Sequence, residues 1–408
     1  MKILGIETSC DETAICLIEA YWDFLNDSTE PTNSKEKKAK IEILGNKLYS
    51  QIAIHKEYGG VFPILAKREH QKNLIPLLIA CLEEAGLFSP LLSQGEGSGV
   101  RCEETKIKIN DLLNREAELL PEFLDKVLPI KNPGIDAIAV TNGPGLEPAL
   151  WVGVNFAKAL GYLWNIPVIP TNHMEGHIVI STLEKITDKQ FELSNISYPA
   201  ISLLISGGHT QLVLVKDFLN YEIIGNTRDD AAGEAFDKVA RILGLPYPGG
   251  PEISKLAQKE RDEFPNKITN YPLPRPMIHS KDLDFSFSGL KTAVLYTTQK
   301  ISELTPAIKQ EIAKEFEDAV IDVLISKTKM ALEKYGAQTL ILGGGVTANS
   351  ELRRRFTNEA QKNNWQIFIP EISASTDNAL MIALAGYLNF QNKHKTDPDF
   401  VAKGNLSL

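Results

Sequence analysis

Two histidines carry the sharpest chemical signal in the chain. The run Asn172-His173-Met174-Glu175-Gly176-His177 places His173 and His177 four residues apart. On a helix, positions i and i+4 share a face, so the two imidazoles can chelate one metal ion. A metalloprotease would need a glutamate beside the first histidine, or the inverted order, to act as base. Glu175 instead lies two residues on from His173, about 200° round the helix, and would point away from the metal. A third ligand must come from elsewhere, and Asp377 in Ser375-Thr376-Asp377-Asn378-Ala379 is the candidate. The competing reading makes Thr376 or Asp377 only a helix N-cap.

A second group of residues concerns phosphate and proton chemistry. The loop Ser9-Cys10-Asp11-Glu12-Thr13 carries two carboxylates. Facing a triphosphate, Asp11 and Glu12 would repel it unless a cation bridged them, which argues against simple phosphotransfer from ATP. Four glycine-bearing loops follow: Asn142–Gly145, Ser206–His209, Pro248–Pro251 and Gly343–Val346. Such loops let backbone N–H groups converge on an anion at strand ends and helix starts. Together they indicate a nucleotide or phosphate site. The chain has no GxxxxGK[ST] run, and no GxGxxG with a following acidic residue. P-loop and dinucleotide-binding chemistry are thereby disfavoured.

The elements that must position these groups alternate strand and helix, twice. Lys2–Thr8, Thr13–Ala20 and Glu42–Ile52 read as strands. Helix is expected at Glu69–Ala85, Leu146–Trp164 and His173–Leu183, with strands at Ile135–Thr141 and Pro167–Pro170. The second round has strands Ala200–Ile205, Gln211–Val215 and Tyr221–Ile224, then helices Asp230–Leu243 and Pro306–Tyr335. Strand Thr339–Leu342, helix Ser350–Lys362, strand Ile367–Ile369 and helix Asp377–Phe390 complete it. The expected division is a first lobe over 1–197, a second over 198–378, and a helix and tail over 379–408 returning to the first. Two stretches read as surface insertions: Asn26–Lys40, and the Ser/Gly-rich Ser89–Val100 with its polar helical continuation to Leu128. A duplicated lobe predicts a ligand cleft between halves.

Composition narrows the classes further. The 408 residues carry 43 Lys and Arg against 52 Asp and Glu, a net charge of −9. That disfavours a sequence-blind nucleic-acid coat, whose binding comes from neutralising phosphates. The four cysteines (Cys10, Cys16, Cys81, Cys102) form no CxxC pair and no disulfide framework. No apolar run approaches the roughly 18 residues of a membrane span, so a cytoplasmic protein is expected. Local basic clusters are Lys67-Arg68, Arg353-Arg354-Arg355 and Lys35–Lys40.

Nine ordered motifs then resemble one family. They are MKILGIETSCDET at the start, HKEYGGVFP, NGPGL, NHMEGH, SGGHTQLV, DDAAGEAFDKVARILGLPYPGGP, DFSFSGLKTA, GGGVTAN and TDNAL. The chain resembles the tRNA N6-adenosine threonylcarbamoyltransferases, in their bacterial and organellar branch. It departs at Ile64, where an acidic residue is usual. The resemblance implies an α/β fold with two ribonuclease-H-like lobes, similar to actin, Hsp70 and sugar kinases, around a central cleft. It implies transfer of a threonylcarbamoyl group from threonylcarbamoyl-AMP to N6 of the adenosine after the anticodon, in tRNAs reading codons that begin with A. It implies one divalent metal per subunit, usually Fe2+, on His173, His177 and Asp377; the donor set also suits Zn2+. Substrate contacts carry over to Leu204, Ile205, Ser206, Gly207, Gly208, Asp237, Gly250 and Asn349. Asp11 or Glu12 is expected to assist proton removal or order metal-bound water. A shorter paralogous subunit and a small P-loop ATPase are the implied partners, beside tRNA. The alternatives are an ATP-dependent small-molecule kinase of the same superfold and a non-catalytic paralogous scaffold subunit.

Overall fold

The computed structural model describes residues 1–24, 37–88, 99–392 and 399–408. In chain order it forms β1 (Lys2–Glu7), β2 (Glu12–Phe24), β3 (Lys37–Ser50), α1 (Ile52–His55), α2 (Pro63–Glu84), α3 (Gly99–Leu113), α4 (Leu119–Glu122), β4 (Ala137–Gly143), α5 (Glu147–Trp164), β5 (Val168–Asn172), α6 (His173–Ile180), β6 (Leu183–Lys185) and β7 (Gln190–Leu193). It continues through β8 (Ala200–Ile205), β9 (Thr210–Asp217), β10 (Asn220–Asn226), α7 (Ala232–Ile242), α8 (Gly249–Glu263), α9 (Ser288–Gln299), α10 (Pro306–Tyr335), β11 (Thr339–Gly343), α11 (Ser350–Asn363), β12 (Gln366–Phe368), α12 (Ile372–Ser375) and α13 (Ala379–Gln391). The chain divides into two units. One holds Met1–Ile54, Val61–Asn195 and Asp377–Leu408, the other His55–Gly60 and Ile196–Thr376.

The first unit is built on the sheet β5-β4-β1-β2-β3-β7-β6. β1 runs antiparallel to β2 and parallel to β4, and β4 parallel to β5. The second unit is built on β10-β9-β8-β11-β12, with β8 antiparallel to β9 and parallel to β11. Omitting the added β7-β6 edge, both sheets have the order third, second, first, fourth, fifth. This is the ribonuclease-H-like plan, present twice, as in the actin, Hsp70 and sugar-kinase superfold. The physical cause is legible in the strands: β4, β8 and β11 are buried along their whole length. Parallel strands covered on both faces read as unbroken apolar runs. In the first unit α13 lies directly against β1 and β4, and two glycines permit it. A Cβ on Gly5 would stand 2.3 Å from the Ala379 carbonyl, and one on Gly386 would stand 2.3 Å from the Ala139 Cβ.

Several expectations change. Of the Asn26–Lys40 insertion, 26–36 lies outside the described residues and 37–40 belongs to β3, which pairs with β2 as far as Phe24. The helix starting at His173 stops at Ile180, and the polar segment after it forms the β6–β7 hairpin, extending the sheet at β3. Helices α8 and α9 were not foreseen.

The stretch Ser89–Leu128 needs the largest correction. Its first part, 89–98, lies outside the described residues, but the remainder is no surface decoration. Ile109, Leu113, Leu119, Phe123 and Val127 are fully buried in one apolar core with α2 and α5. Phe123 meets Phe156 edge to face at 5.9 Å. Glu116, also fully buried, accepts from Gln71 Nε2 (3.0 Å) and Asn155 Nδ2 (3.1 Å) and pairs with Lys67 at 3.2 Å. The many charges between the apolar positions mask the stripe when the segment is averaged. Replacing Phe123 by alanine is therefore expected to cost about 3–5 kcal/mol, read as a lower denaturant midpoint. A loss below about 1 kcal/mol, the level of an exposed substitution, would restore the surface reading.

Candidate active site

The histidine pair begins where β5 ends. Asn172 terminates the strand and caps α6, its Oδ1 accepting from the backbone N–H groups of Met174 (2.8 Å) and Glu175 (3.3 Å). His173 and His177 then share one face, their ring centroids 4.8 Å apart and their planes at 86°. Asp377 comes from the other end of the sequence, immediately before Asn378. Asn378, rather than Thr376 or Asp377, caps α13 by accepting from the Met381 N–H. That leaves the Asp377 carboxylate for the histidines: Oδ1 is 3.3 Å from His173 Nε2 and 3.1 Å from His177 Nε2. Among the described residues, His173, His177 and Asp377 bring their ligand atoms within 4.8 Å of one another.

A residue the sequence reading missed organises this cluster. Glu7, the last residue of β1, is fully buried. Its Oε2 lies 3.1 Å from His173 Nδ1 and accepts from Thr141 Oγ1 at 2.6 Å, while its Oε1 accepts from the Ser9 N–H. Ser9 Oγ is itself 3.3 Å from His173 Nδ1. A carboxylate on the far nitrogen of an imidazole fixes its tautomer and directs the other nitrogen outward as a ligand. The donor set therefore fits a divalent metal ion. Atoms bound to one ion at about 2 Å lie about 3 Å apart, and the Asp377 separations match that. Among the described residues, His177 Nδ1 is buried without a hydrogen-bond partner. The signal for Glu7 was present in MKILGIE, as a carboxylate at the carboxyl end of an apolar parallel strand, where ligands of α/β sheets gather.

The electrostatics follow from burial. Desolvation opposes ionisation of Asp377, but His173 and His177 outweigh it and hold the carboxyl well below its usual range. Desolvation also disfavours a charged His173, and the Asp377 and Glu7 carboxylates overcome it, raising its pKa well above the ordinary imidazole value. For His177 burial prevails and the pKa is lowered. Glu175 is absent from the cluster, accepting instead from Asn389 Nδ2 at 2.8 Å, so the protease geometry is not formed.

Asp11 and Glu12 are both largely buried. Burial, then the neighbouring Asp11 and Asp377, raise the Glu12 pKa well above the carboxylate range. Their loop is held by His70, whose Nε2 lies 3.0 Å from the Cys10 carbonyl and whose Nδ1 lies 2.8 Å from Thr13 Oγ1. His70 was not singled out from the sequence.

The remaining predicted residues belong to the second unit. Leu204 and Ile205 are buried at the end of β8. Ser206 bonds to His209 through both backbone and side chain. Gly207 and Gly208 are exposed, with open space where a side chain would go. The N–H of Gly233, in the first turn of α7, donates to the Ser206 carbonyl at 3.2 Å. Asp237 accepts from the Gly249 N–H at 2.7 Å, tying α7 to the start of α8, beside Gly250, which also faces open space. Asn349 is engaged internally: Oδ1 caps α11 at Leu352, and Nδ2 donates to Ser254 Oγ (3.0 Å) and Glu317 Oε1 (2.6 Å).

A family model, TsaD: tRNA N6-adenosine threonylcarbamoyltransferase, matches residues 42–90 and 117–384. The chain belongs to this family. The tRNA N6-adenosine threonylcarbamoyltransferase of Polynucleobacter necessarius subsp. necessarius is 42% identical over 401 residues, covering 97% of this chain and 94% of that protein. The enzyme of the same name from Chromobacterium violaceum is 40% identical over 395 residues, covering 96% and 94%. Family membership adds nothing to the geometry of Glu7, which makes a direct prediction. In metal-free protein, replacing Glu7 by glutamine should lower the His173 pKa, followed by NMR of the imidazole, because a charge that favours imidazolium is lost. An unchanged titration would show that Glu7 does not govern His173.

Proposed function

We propose that this chain transfers the threonylcarbamoyl group from threonylcarbamoyl-AMP to N6 of the adenosine following the anticodon, in tRNAs that read codons beginning with A, releasing AMP. The observation that carries the reading is the 42% identity with a named transferase over 97% of the chain. The His173, His177 and Asp377 donors support catalysis over the scaffold alternative, because a scaffold has no need of them. They also support it over a small-molecule kinase, for which a histidine pair has no purpose.

The chemistry assigns roles to the residues. The acceptor amine is delocalised into adenine and is a poor nucleophile, while AMP is a good leaving group. A new N–C bond forms at the carbamoyl carbon, the C–O bond to the phosphate breaks, and the amine loses a proton. The protein must position both substrates and stabilise charge on the carbamoyl oxygen and the phosphate. His173, His177 and Asp377 are proposed to hold one divalent ion, Fe2+ or Zn2+, which when bound supplies a Lewis acid and a template. Glu7 keeps the His173 Nε2 directed at it. The backbone at Ser206–Gly208 is proposed to receive the donor phosphate and Asp237 a ribose hydroxyl. Asn349 is proposed to contribute by holding the start of α11 rather than by its amide, which is already bonded. Glu12 is the proposed base, since a carboxylate with a raised pKa is a better proton acceptor near neutrality.

The partners proposed are tRNA, a shorter paralogous subunit and a small P-loop ATPase. Two of the basic clusters support a need for partner surfaces. Lys67 and Arg68 pair with Glu116 and Glu118. Arg354 pairs with Glu351 and Arg355 with Asp322, while Arg353 donates to the Thr347 and Pro370 carbonyls. The cations of both clusters thus have partners within the chain, with Arg68 and Arg354 still exposed to solvent. In the third cluster, Lys35 lies outside the described residues. No described helix is long and apolar enough to cross a membrane, and a cytoplasmic location is proposed from the tRNA substrate.

Purified protein, metal, threonylcarbamoyl-AMP and unmodified tRNA, with the partners added, should yield the modified nucleoside. No product under any combination would refute the proposal, and unchanged transfer by His173→Ala would favour the scaffold. Glu12→Ala should slow transfer with donor affinity retained; a collapse of donor affinity would reassign Glu12 to binding.

A further inference from the structure

The segment Phe400–Ser407 lies against the two elements that lead into His173. Phe400 and Ala402 are buried in the core of the first unit. Lys158 Nζ donates to the Phe400 carbonyl at 2.6 Å and sits 4.5 Å over its ring. The Lys403 N–H donates to the Asn142 carbonyl at 2.8 Å, and the Gly145 N–H donates to the Gly404 carbonyl at 3.1 Å. The segment thus brackets the Asn142–Gly145 loop. Gly143 has φ of 152°, and a Cβ there would stand 2.1 Å from the Lys403 carbonyl, so only glycine admits the segment this closely. On its other side the loop touches Ser9: the Leu146 N–H donates to the Ser9 carbonyl at 2.7 Å. Ser9 Oγ in turn lies 3.3 Å from His173 Nδ1.

A second route is shorter. Asn172 Nδ2 donates to the Ser407 carbonyl at 3.0 Å. A carboxamide carries its donor NH2 and its acceptor oxygen on separate atoms that diverge from one planar carbon. With the NH2 group fixed on Ser407, the oxygen must face the Met174 and Glu175 N–H groups that it caps. The residue between the cap and those amides is His173.

We propose that Asn172, held by the strap Phe400–Ser407, is a positioning residue for the His173 imidazole. The strap acts on His173 along two paths, through the Asn172 cap and through the Asn142–Gly145 loop to Ser9. The metal-affinity consequence rests on the proposed function, whereas the ordering of α6 does not.

Two variants test it. A chain terminated after Ala402 keeps Phe400 in the core and removes Lys403, Gly404 and Ser407. Asn172→Ser retains a capping oxygen and loses the bond to Ser407. Hydrogen exchange at the Met174 and Glu175 amides, without metal, should accelerate in the terminated chain while β1 and β4 amides stay protected. Affinity for Co2+, followed by its visible absorption, should fall about tenfold, as for other groups that orient a ligand. In the transfer assay kcat should fall with KM for the donor unchanged. Asn172→Ser should move all three readouts in the same direction. Wild-type exchange and Co2+ affinity in the terminated chain would overturn the proposal. If that chain does not fold, wild-type values in Asn172→Ser would overturn it alone. Accelerated exchange in a protein whose wild type transfers nothing would leave the strap standing and remove the functional reading.

Discussion

Everything at the histidine cluster depends on the contact between Glu7 and His173. A carboxylate buried at the end of an apolar strand is costly unless it is paired and hydrogen-bonded. Glu7 meets that demand with Thr141, the Ser9 N–H and His173. Each partner comes from a different element: β4, the β1–β2 loop and α6. The charge therefore ties three parts of the first unit to one point, and in doing so sets which nitrogen of His173 faces Asp377. Removing one member of such a network leaves the others buried and unpaired, which typically costs several kcal/mol.

The parallel core of the first unit is the frame that makes this contact reproducible. β1 and β4 are neighbours in the sheet, and α13 is set against both by the close approaches at Gly5 and Gly386. Asp377 stands two residues before the start of α13, so the same packing that fills the core delivers the third donor. From His177 to Asp377 the chain advances 200 positions, taking in the whole described sheet of the second unit. The duplicated strand order explains why such a long excursion can return: the second unit completes its own sheet before the chain re-enters the first.

How much of this was legible depended on the range of the signal. The histidine pair is local, and its i, i+4 spacing needed only a helix. The alternation of strands and helices was readable because buried parallel strands are continuous apolar runs. Asp377 could be named only as a candidate, since no spacing links it to His173. Glu7 was passed over because a glutamate closing an apolar strand resembles an ordinary strand end. The stripe Ile109, Leu113, Leu119, Phe123 was hidden by the charged residues between its members, and the β6–β7 hairpin by its polarity, which suits an edge. Asn349 and the arginines of α11 were recognised by type. Their partners, Glu317, Glu351 and Asp322, were not, because ion pairing across elements leaves no trace in composition.

The net charge of −9 acquires a structural meaning from those pairs, since the cations of Lys67-Arg68 and Arg353–Arg355 already bind carboxylates or carbonyls. In the proposed reading, affinity for an RNA backbone draws on partner surfaces, and the chemistry is assigned to the small cluster at the start of α6. Anomalous diffraction from crystals grown anaerobically with Fe2+ locates the ion directly. The expected result is one strong peak about 2 Å from His173 Nε2, His177 Nε2 and an Asp377 carboxylate oxygen. A peak at other residues, or none at this cluster with the ion in excess, would contradict the metal-holding role of these three residues.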